Sequence, residues 1–152
     1  MKFGQLIITS AILISAIPAL ASSSLKPGHY VGTGQWHSAD GKAGQYQVET
    51  TIGNSPNTPS VQSTYDYDGQ RQVWDFTMLF KSPGFFAIAS GGGGEGNVNG
   101  SGYCLDVQCH YEVPGSNLEE TFSFVDGKLY KIGSKTQHGK TLVWQESLTL
   151  TP

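Results

Sequence analysis

Short segments in which apolar and polar residues alternate run along most of the chain. In one of them Tyr46, Val48, Thr50 and Ile52 share a face, and the residues between them are polar. A period of two residues is typical of an antiparallel strand with one buried face. Turn-forming pairs separate the segments, among them Asp40-Gly41, Asp68-Gly69, Pro83-Gly84, Asp126-Gly127 and His138-Gly139. The pattern therefore predicts an all-β protein of about 8–10 strands.

The short connections between these segments favour one architecture. Strands joined in sequence order by tight turns form an up-and-down meander, and closing the meander into a barrel removes its exposed edges. We therefore predict a single antiparallel meander barrel within a domain that spans residues 22–152. A β-sandwich is the alternative, because the same alternation occurs in both folds. Residues 22–26 are expected to form a loose leader before the first strand.

Large apolar side chains are concentrated on one face of several predicted strands. In a closed barrel these faces share one interior, and ligand pockets are mostly apolar with a few polar groups. Glu120 and Glu146 lie on the same faces, and a carboxylate turned into an apolar interior marks a binding site unless it lies at a strand end that reaches water. The predicted ligand-binding residues are Trp74, Phe76, Phe122, Phe124 and Trp144, with Glu120 or Glu146 as the polar anchor.

The first residues have the features of a secretory signal. Lys2 supplies a positive charge, Leu6–Leu20 is mostly apolar, and Ala19-Leu20-Ala21 fits a cleavage site that small residues define. We predict a signal peptide over residues 1–21, which is too short for a comfortable membrane span. No later apolar run is long enough to cross a bilayer. The protein is therefore expected in the periplasm or outside the cell.

Two cysteines, Cys104 and Cys109, occur close together in the chain. In an exported protein they are expected to form a disulfide, and a four-residue loop that closes a hairpin would place them opposite each other. So short a loop removes little chain entropy, roughly 2 kcal/mol or less. The predicted disulfide is a local clip in a β-hairpin.

Composition and motifs argue against several classes of function. The chain has 9 basic and 12 acidic side chains and a formal net charge of −3, which argues against nucleic-acid binding. Its four histidines lack the spacing of metal ligands, and no nucleophile-elbow, zinc-protease or phosphate-loop signature is present. The glycine run Gly91–Gly94 is followed by no helix, so it is interpreted as a strand connection. We therefore expect no metal, no cofactor and no enzymatic activity.

One short motif resembles a known family. Gly34-Gln35-Trp36, on the first predicted strand of an exported all-β chain, resembles the G-x-W signature of lipocalins and related calycin barrels. The resemblance implies a barrel whose Trp closes the bottom and whose cavity holds small apolar molecules. The family usually places a basic side chain from the last strand against that Trp, whereas Leu142–Pro152 contains no Arg or Lys. The sequence also shows no pattern for the family's usual C-terminal helix.

Two hypotheses for function follow. The first is a soluble exported protein that binds a small apolar or amphipathic molecule in a barrel cavity. The alternative is a packed barrel that binds another exported protein, for example as an inhibitor of an exported enzyme. In that case the Cys104–Cys109 hairpin would present Tyr103, His110 and Tyr111, because Tyr is a common anchor at interfaces. An enclosed apolar void would favour the first hypothesis, and a filled core the second.

Overall fold

Ten antiparallel strands form one closed barrel. The computed structural model describes residues 25–91 and 97–152. Each strand pairs with its neighbours in sequence, and the first strand also pairs with the last. The strands are β1 Gly28–Ser38, β2 Ala43–Ile52, β3 Ser60–Tyr67, β4 Gln70–Ser82, β5 Phe85–Ser90, β6 Val98–Leu105, β7 Gln108–Val113, β8 Leu118–Val125, β9 Lys128–Gln137 and β10 Lys140–Leu150. The predicted meander barrel is confirmed, and the β-sandwich alternative is wrong.

The barrel closes along the pairing of β1 with β10. In this register Trp36 lies opposite Trp144, and Gly34 lies opposite Glu146. On its other side β1 pairs with β2, where Trp36 lies opposite Gly44. Every strand is therefore hydrogen-bonded on both sides, which leaves no edge open for pairing with another chain.

The turns between strands follow the sequence signals. At Asp68-Gly69 and Asp126-Gly127 both residues have positive φ, with values of 49°, 76°, 50° and 75°. Such turns match the twist of the flanking strands and favour Asp followed by Gly. The Asp66 side chain also accepts a hydrogen bond of 3.2 Å from the Gly69 backbone N–H, so it caps the turn.

One end of the barrel is covered by residues before β1. Leu25 is only 7% exposed and belongs to the packed core, and the Tyr30 hydroxyl donates to the Lys26 carbonyl at 2.8 Å. Tyr30 in turn packs edge-on against Phe124. The expectation of a loose leader is therefore wrong at Leu25 and Lys26, because Leu25 buries apolar surface at this end. Trp36 lies half-buried at the opposite end, where β1 finishes.

The predicted disulfide joins Cys104 and Cys109, which lie opposite each other in β6 and β7 with Cα atoms 4.0 Å apart. The connection is tighter than expected, since Leu105 and Gln108 still pair and only Asp106 and Val107 form the turn. Cys109 is completely buried and packs in the core. The bridge thus fastens one hairpin and also adds to the apolar interior.

The outer face of β5–β7 carries a depression of about 410 Å³. Phe85 and Tyr103 lie opposite each other there and are 62% and 46% exposed, and His110 lines the same depression. Tyr111, however, is 1% exposed and faces the interior. The expectation that Tyr111 is presented beside the hairpin is therefore wrong, because it alternates with the outward-facing His110.

Two predictions concern residues outside the described ranges. The signal peptide and its cleavage site lie within residues 1–24, and most of the glycine-rich connection lies within residues 92–96. Across residues 25–91 and 97–152, no helix is long and apolar enough to span a bilayer.

Candidate functional site

All seven predicted binding residues lie on the inner face of the barrel. Phe76, Phe122 and Phe124 are 3%, 0% and 4% exposed and are members of the packed core. Trp74 and Trp144 are half-buried and pack against that core from one end. The structure therefore separates the predicted set into a packed group and a pair of indoles that reach the surface.

Glu120 and Glu146 are both 4% exposed, so neither lies at a strand end that reaches water. The Glu120 carboxylate accepts hydrogen bonds from the Tyr111 hydroxyl at 3.0 Å and from Trp144 Nε1 at 2.8 Å. Glu146 accepts a bond of 2.7 Å from the Tyr46 hydroxyl. The inward position predicted for both carboxylates is confirmed, and each is held by neutral donors from other strands.

The residue that sequence analysis missed is Lys131 on β9. Its side chain is completely buried, and its Nζ lies 2.6 Å from Glu146 Oε2. Nζ also donates to Ser63 Oγ and to the Tyr65 hydroxyl, both at 3.3 Å. A buried ammonium must be paired and hydrogen-bonded to be tolerated, and these contacts from β10 and β3 meet that requirement.

The pattern of β9 hides Lys131. Its outward face carries Tyr130 and Ile132, which are 37% and 63% exposed, while the inward face carries Leu129, Lys131 and Gly133. Apolarity alone would turn the Tyr130 face inward. The structure shows why β9 turns this way at Gly133, because a Cβ there would overlap the Trp144 ring. Close ring-to-backbone packing at that glycine marks its face as the inner one.

Burial and neighbouring charges shift the protonation of this network. Burial raises the pKa of Glu120, and the charge of Glu146 raises it further, although Lys131 opposes both. For Lys131 burial acts to lower the pKa, but Tyr65 and the two carboxylates outweigh it and the pKa is raised. Lys131 is therefore held as an ammonium ion, a form that is not nucleophilic.

The tyrosines around the network remain protonated. Burial raises the pKa of Tyr65 to about 12, and it raises the pKa of Tyr46 and Tyr111 as well. Lys131 Nζ also lies 5.3 Å from the centre of the Tyr65 ring and 5.8 Å from that of Phe122, so aromatic faces add to its stabilisation. The centre of the barrel thus holds one ammonium and two carboxyl groups among protonated phenols.

Half-buried aromatic side chains surround one end of the barrel above this network. We call this set the aromatic end, and its members are Trp36, Tyr46, Tyr65, Tyr67, Trp74 and Trp144. Trp36 and Tyr67 have ring centres 5.8 Å apart, and the Tyr46 ring lies within 6.5 Å of Tyr67 and 5.7 Å of Tyr65. Four of these rings therefore form a connected series from Trp36 through Tyr67 and Tyr46 to Tyr65, whose hydroxyl contacts the buried Lys131.

Two indole nitrogens at the aromatic end are buried without a hydrogen-bond partner among the residues that the structure describes. One is Trp36 Nε1, beside Gly44. The other is Trp74 Nε1, which approaches the Tyr111 hydroxyl without hydrogen-bond geometry. In the same parts of the chain, no three His, Cys, Asp or Glu side chains converge as metal ligands. The arrangement offers aromatic surface and hydrogen-bond donors.

A scan against protein-family models finds no match for this chain, and a search of curated protein sequences finds none. Solved structures with a similar fold are found. The S-type phycobiliprotein lyase CPES from Guillardia theta has 8% sequence identity and a TM-score of 0.62, with 83% of this chain and 88% of that chain covered. Rv2717c from M. tuberculosis has 10% identity and a TM-score of 0.62, with 90% and 96% covered. At these identities the likeness concerns the barrel fold alone.

The raised pKa of Glu120 predicts how stability changes with pH. Below about pH 4.5, the ordinary value for Glu, the group is protonated in both the folded and the unfolded chain. Above it the unfolded chain loses the proton first, so the free energy of unfolding falls until the pH passes the folded pKa. Glu120→Gln should remove this decline, as measured by urea unfolding across that pH range.

The exposed neighbour Glu119 provides the matched control. Glu119→Gln should leave the pH dependence as in the wild type. If the curves for wild type and Glu120→Gln run parallel over the whole range, Glu120 does not bind a proton more tightly in the folded state.

Proposed function

We propose that this protein is an exported binding protein that holds a small amphipathic molecule at the aromatic end of its barrel. The single observation that carries the proposal is the aromatic end itself, in which half-buried rings lie above buried polar groups. Ligand sites in proteins are mostly apolar and contain a few placed polar groups. Barrel mouths are among the places where such sites occur.

The packing of the interior limits where the ligand binds. Met78, Leu129 and Leu148 are completely buried in the part of the barrel farther from the aromatic end, and Phe122 is completely buried beside Lys131. A ligand at the aromatic end would contact Trp36, Tyr67 and Trp144 before it reached that packed part. We therefore propose that the ligand contacts the rings of the aromatic end, and that Phe76, Phe122 and Phe124 pack beneath these rings and support them. The proposed site is smaller than the cavity expected from the sequence.

Protein binding is the second candidate function, and the outer face of β5–β7 favours it. Phe85, Tyr103, Leu105 and Val107 are between 46% and 73% exposed. Contiguous exposed apolar side chains mark interaction sites in soluble proteins. In this case the barrel would act as a rigid support for a surface that contacts another exported protein.

Titration with the neutral fluorescent probe N-phenylnaphthylamine tests the first candidate. Wild-type protein should bind it saturably, and Trp144→Ala should weaken binding about tenfold, because one ring of the surface is removed. Phe85→Ala removes a more exposed ring, on the outer face, and should leave the affinity unchanged. The measurement is probe fluorescence against protein concentration.

The same variants test the second candidate. A wild type that binds no probe, together with a stability loss of ~3–5 kcal/mol for Trp144→Ala, would indicate a packed core and favour the protein-binding function. Weakened probe binding by Phe85→Ala alone would place the apolar site on the outer depression and contradict a site at the aromatic end.

Export is tested by mass spectrometry of the protein recovered from its native compartment. The expected species begins at Ser22, after cleavage that follows Ala21, and carries the Cys104–Cys109 bridge, because thiols oxidise in the compartments to which such signals lead. A species that retains Met1, or one whose two thiols react with an alkylating reagent before reduction, would contradict export.

A further inference from the structure

Two rows of side chains run across the strands on the outer face of β5–β7. In the first row the side chains are large, since Phe85 lies opposite Tyr103 and Tyr103 lies opposite His110. In the second row the side chains on β5 and β6 are small, since Ala87 lies opposite Ser101. All five residues line the depression of about 410 Å³. The step from the large row to the small row therefore shapes this depression.

The row of small residues ends at two carboxylates. Ser101 lies opposite Glu112 on β7, and Glu112 lies opposite Glu119 on β8. Both glutamates are exposed. In the described part of the chain, Glu112 has only His110 as an ion-pair partner and Glu119 has none. Like charges directly opposite each other on neighbouring strands destabilise a sheet, so a cation bound from outside would relieve this repulsion.

The other charged groups at the depression lie on its two sides. His110 Nδ1 lies 3.0 Å from Thr121 Oγ1, and His110 Nε2 lies 3.5 Å from Glu112 Oε1, so the ring holds this carboxylate at the end of the small row. Lys81, on β4, lines the opposite side of the depression. Three strand spacings, roughly 14 Å, separate β4 from β7. The depression is therefore acidic at β7 and basic only at its far side.

We propose that this depression receives an arginine side chain of an exported partner protein, with the guanidinium on Glu112. The inference rests on the protein-binding candidate, whose partner it characterises, and is independent of ligand binding at the aromatic end. From Ala87 to Glu112 the small row crosses two strand spacings, about 10 Å, which is long enough for an extended arginine side chain.

The chemistry of the two rows favours arginine over other side chains. Its aliphatic stem can cover the small row while its charged end reaches the carboxylate. The exposed Tyr103 ring lies beside that row, and a flat guanidinium both stacks on aromatic rings and pairs with a carboxylate through two hydrogen bonds. A lysine ammonium makes only the ion pair, and an acidic side chain would be repelled by Glu112.

Three capped tripeptides test the proposal by nuclear magnetic resonance titration of the isotope-labelled protein. Their central residue is arginine, lysine or citrulline, and citrulline is a neutral side chain of nearly the same shape as arginine. The arginine peptide should shift the amide resonances of Ala87, Ser101 and Glu112 saturably. It should bind at least about fivefold more tightly than the citrulline peptide, with the lysine peptide between them.

Single variants identify the groups responsible. Glu112→Gln should bring the arginine and citrulline peptides to within about twofold of each other, because it removes the charge and keeps the shape. Tyr103→Leu should weaken the arginine peptide more than the lysine peptide, because stacking is lost. Glu49→Gln removes the same charge from an exposed position on β2 and should leave all three affinities unchanged.

The outcomes separate this inference from protein binding as such. If all three peptides bind the depression equally, or if Glu49→Gln weakens the arginine peptide as much as Glu112→Gln does, arginine recognition is overturned and protein binding at this face stands. If no peptide shifts the resonances of β5–β7, both are overturned. Self-association of the free protein that Phe85→Ala abolishes would make a second copy the occupant and contradict the inference. The amide spectrum of each variant shows whether the barrel is retained.

Discussion

The ion pair between Lys131 and Glu146 is formed inside the barrel, where neither side chain reaches water. Removing two charges from water costs several kcal/mol for each ion, and their attraction compensates only when the remaining hydrogen-bonding groups are satisfied. That condition explains the inward orientation of Ser63 and Tyr65, which bind the ammonium, and of Tyr46, which binds the carboxylate. Side chains from four strands are thus positioned by the requirements of one pair of charges.

The second carboxylate, Glu120, is also buried and must also be hydrogen-bonded, and its partners lie toward the aromatic end. Among the described residues it has no ammonium at bonding distance, and its hydrogen bond from Trp144 fixes the indole across the inner face. Gly133 provides the space for that indole, since any side chain there would overlap the ring. The shape of the aromatic surface therefore follows from the polar network beneath it.

The fold could be predicted from the sequence to a large extent, because alternation and turn signals are local. The inner faces of β4, β8 and β10 were identified correctly, and so were the inward positions of Glu120 and Glu146. Lys131 could not be identified, because Tyr130 and Ile132 make the opposite face of β9 more apolar. Its burial depends on Glu146 in the next strand and on Tyr65 across the barrel, which are long-range contacts that no local pattern contains. For the same reason the packing of Leu25 against the barrel end was missed.

A double-mutant cycle on the buried pair tests this account most directly. Lys131→Met leaves the Glu146 carboxylate buried without its cation and should lower the free energy of unfolding by ~3–5 kcal/mol, as measured by urea denaturation. Adding Glu146→Gln, which keeps an acceptor for Tyr46, should recover much of that loss. The exposed pair of Lys140 and Asp40, whose atoms lie 3.2 Å apart, is the control and should show far weaker coupling. A coupling energy between Lys131 and Glu146 that is no larger than the coupling energy of the control pair would contradict the claim that this ion pair organises the interior.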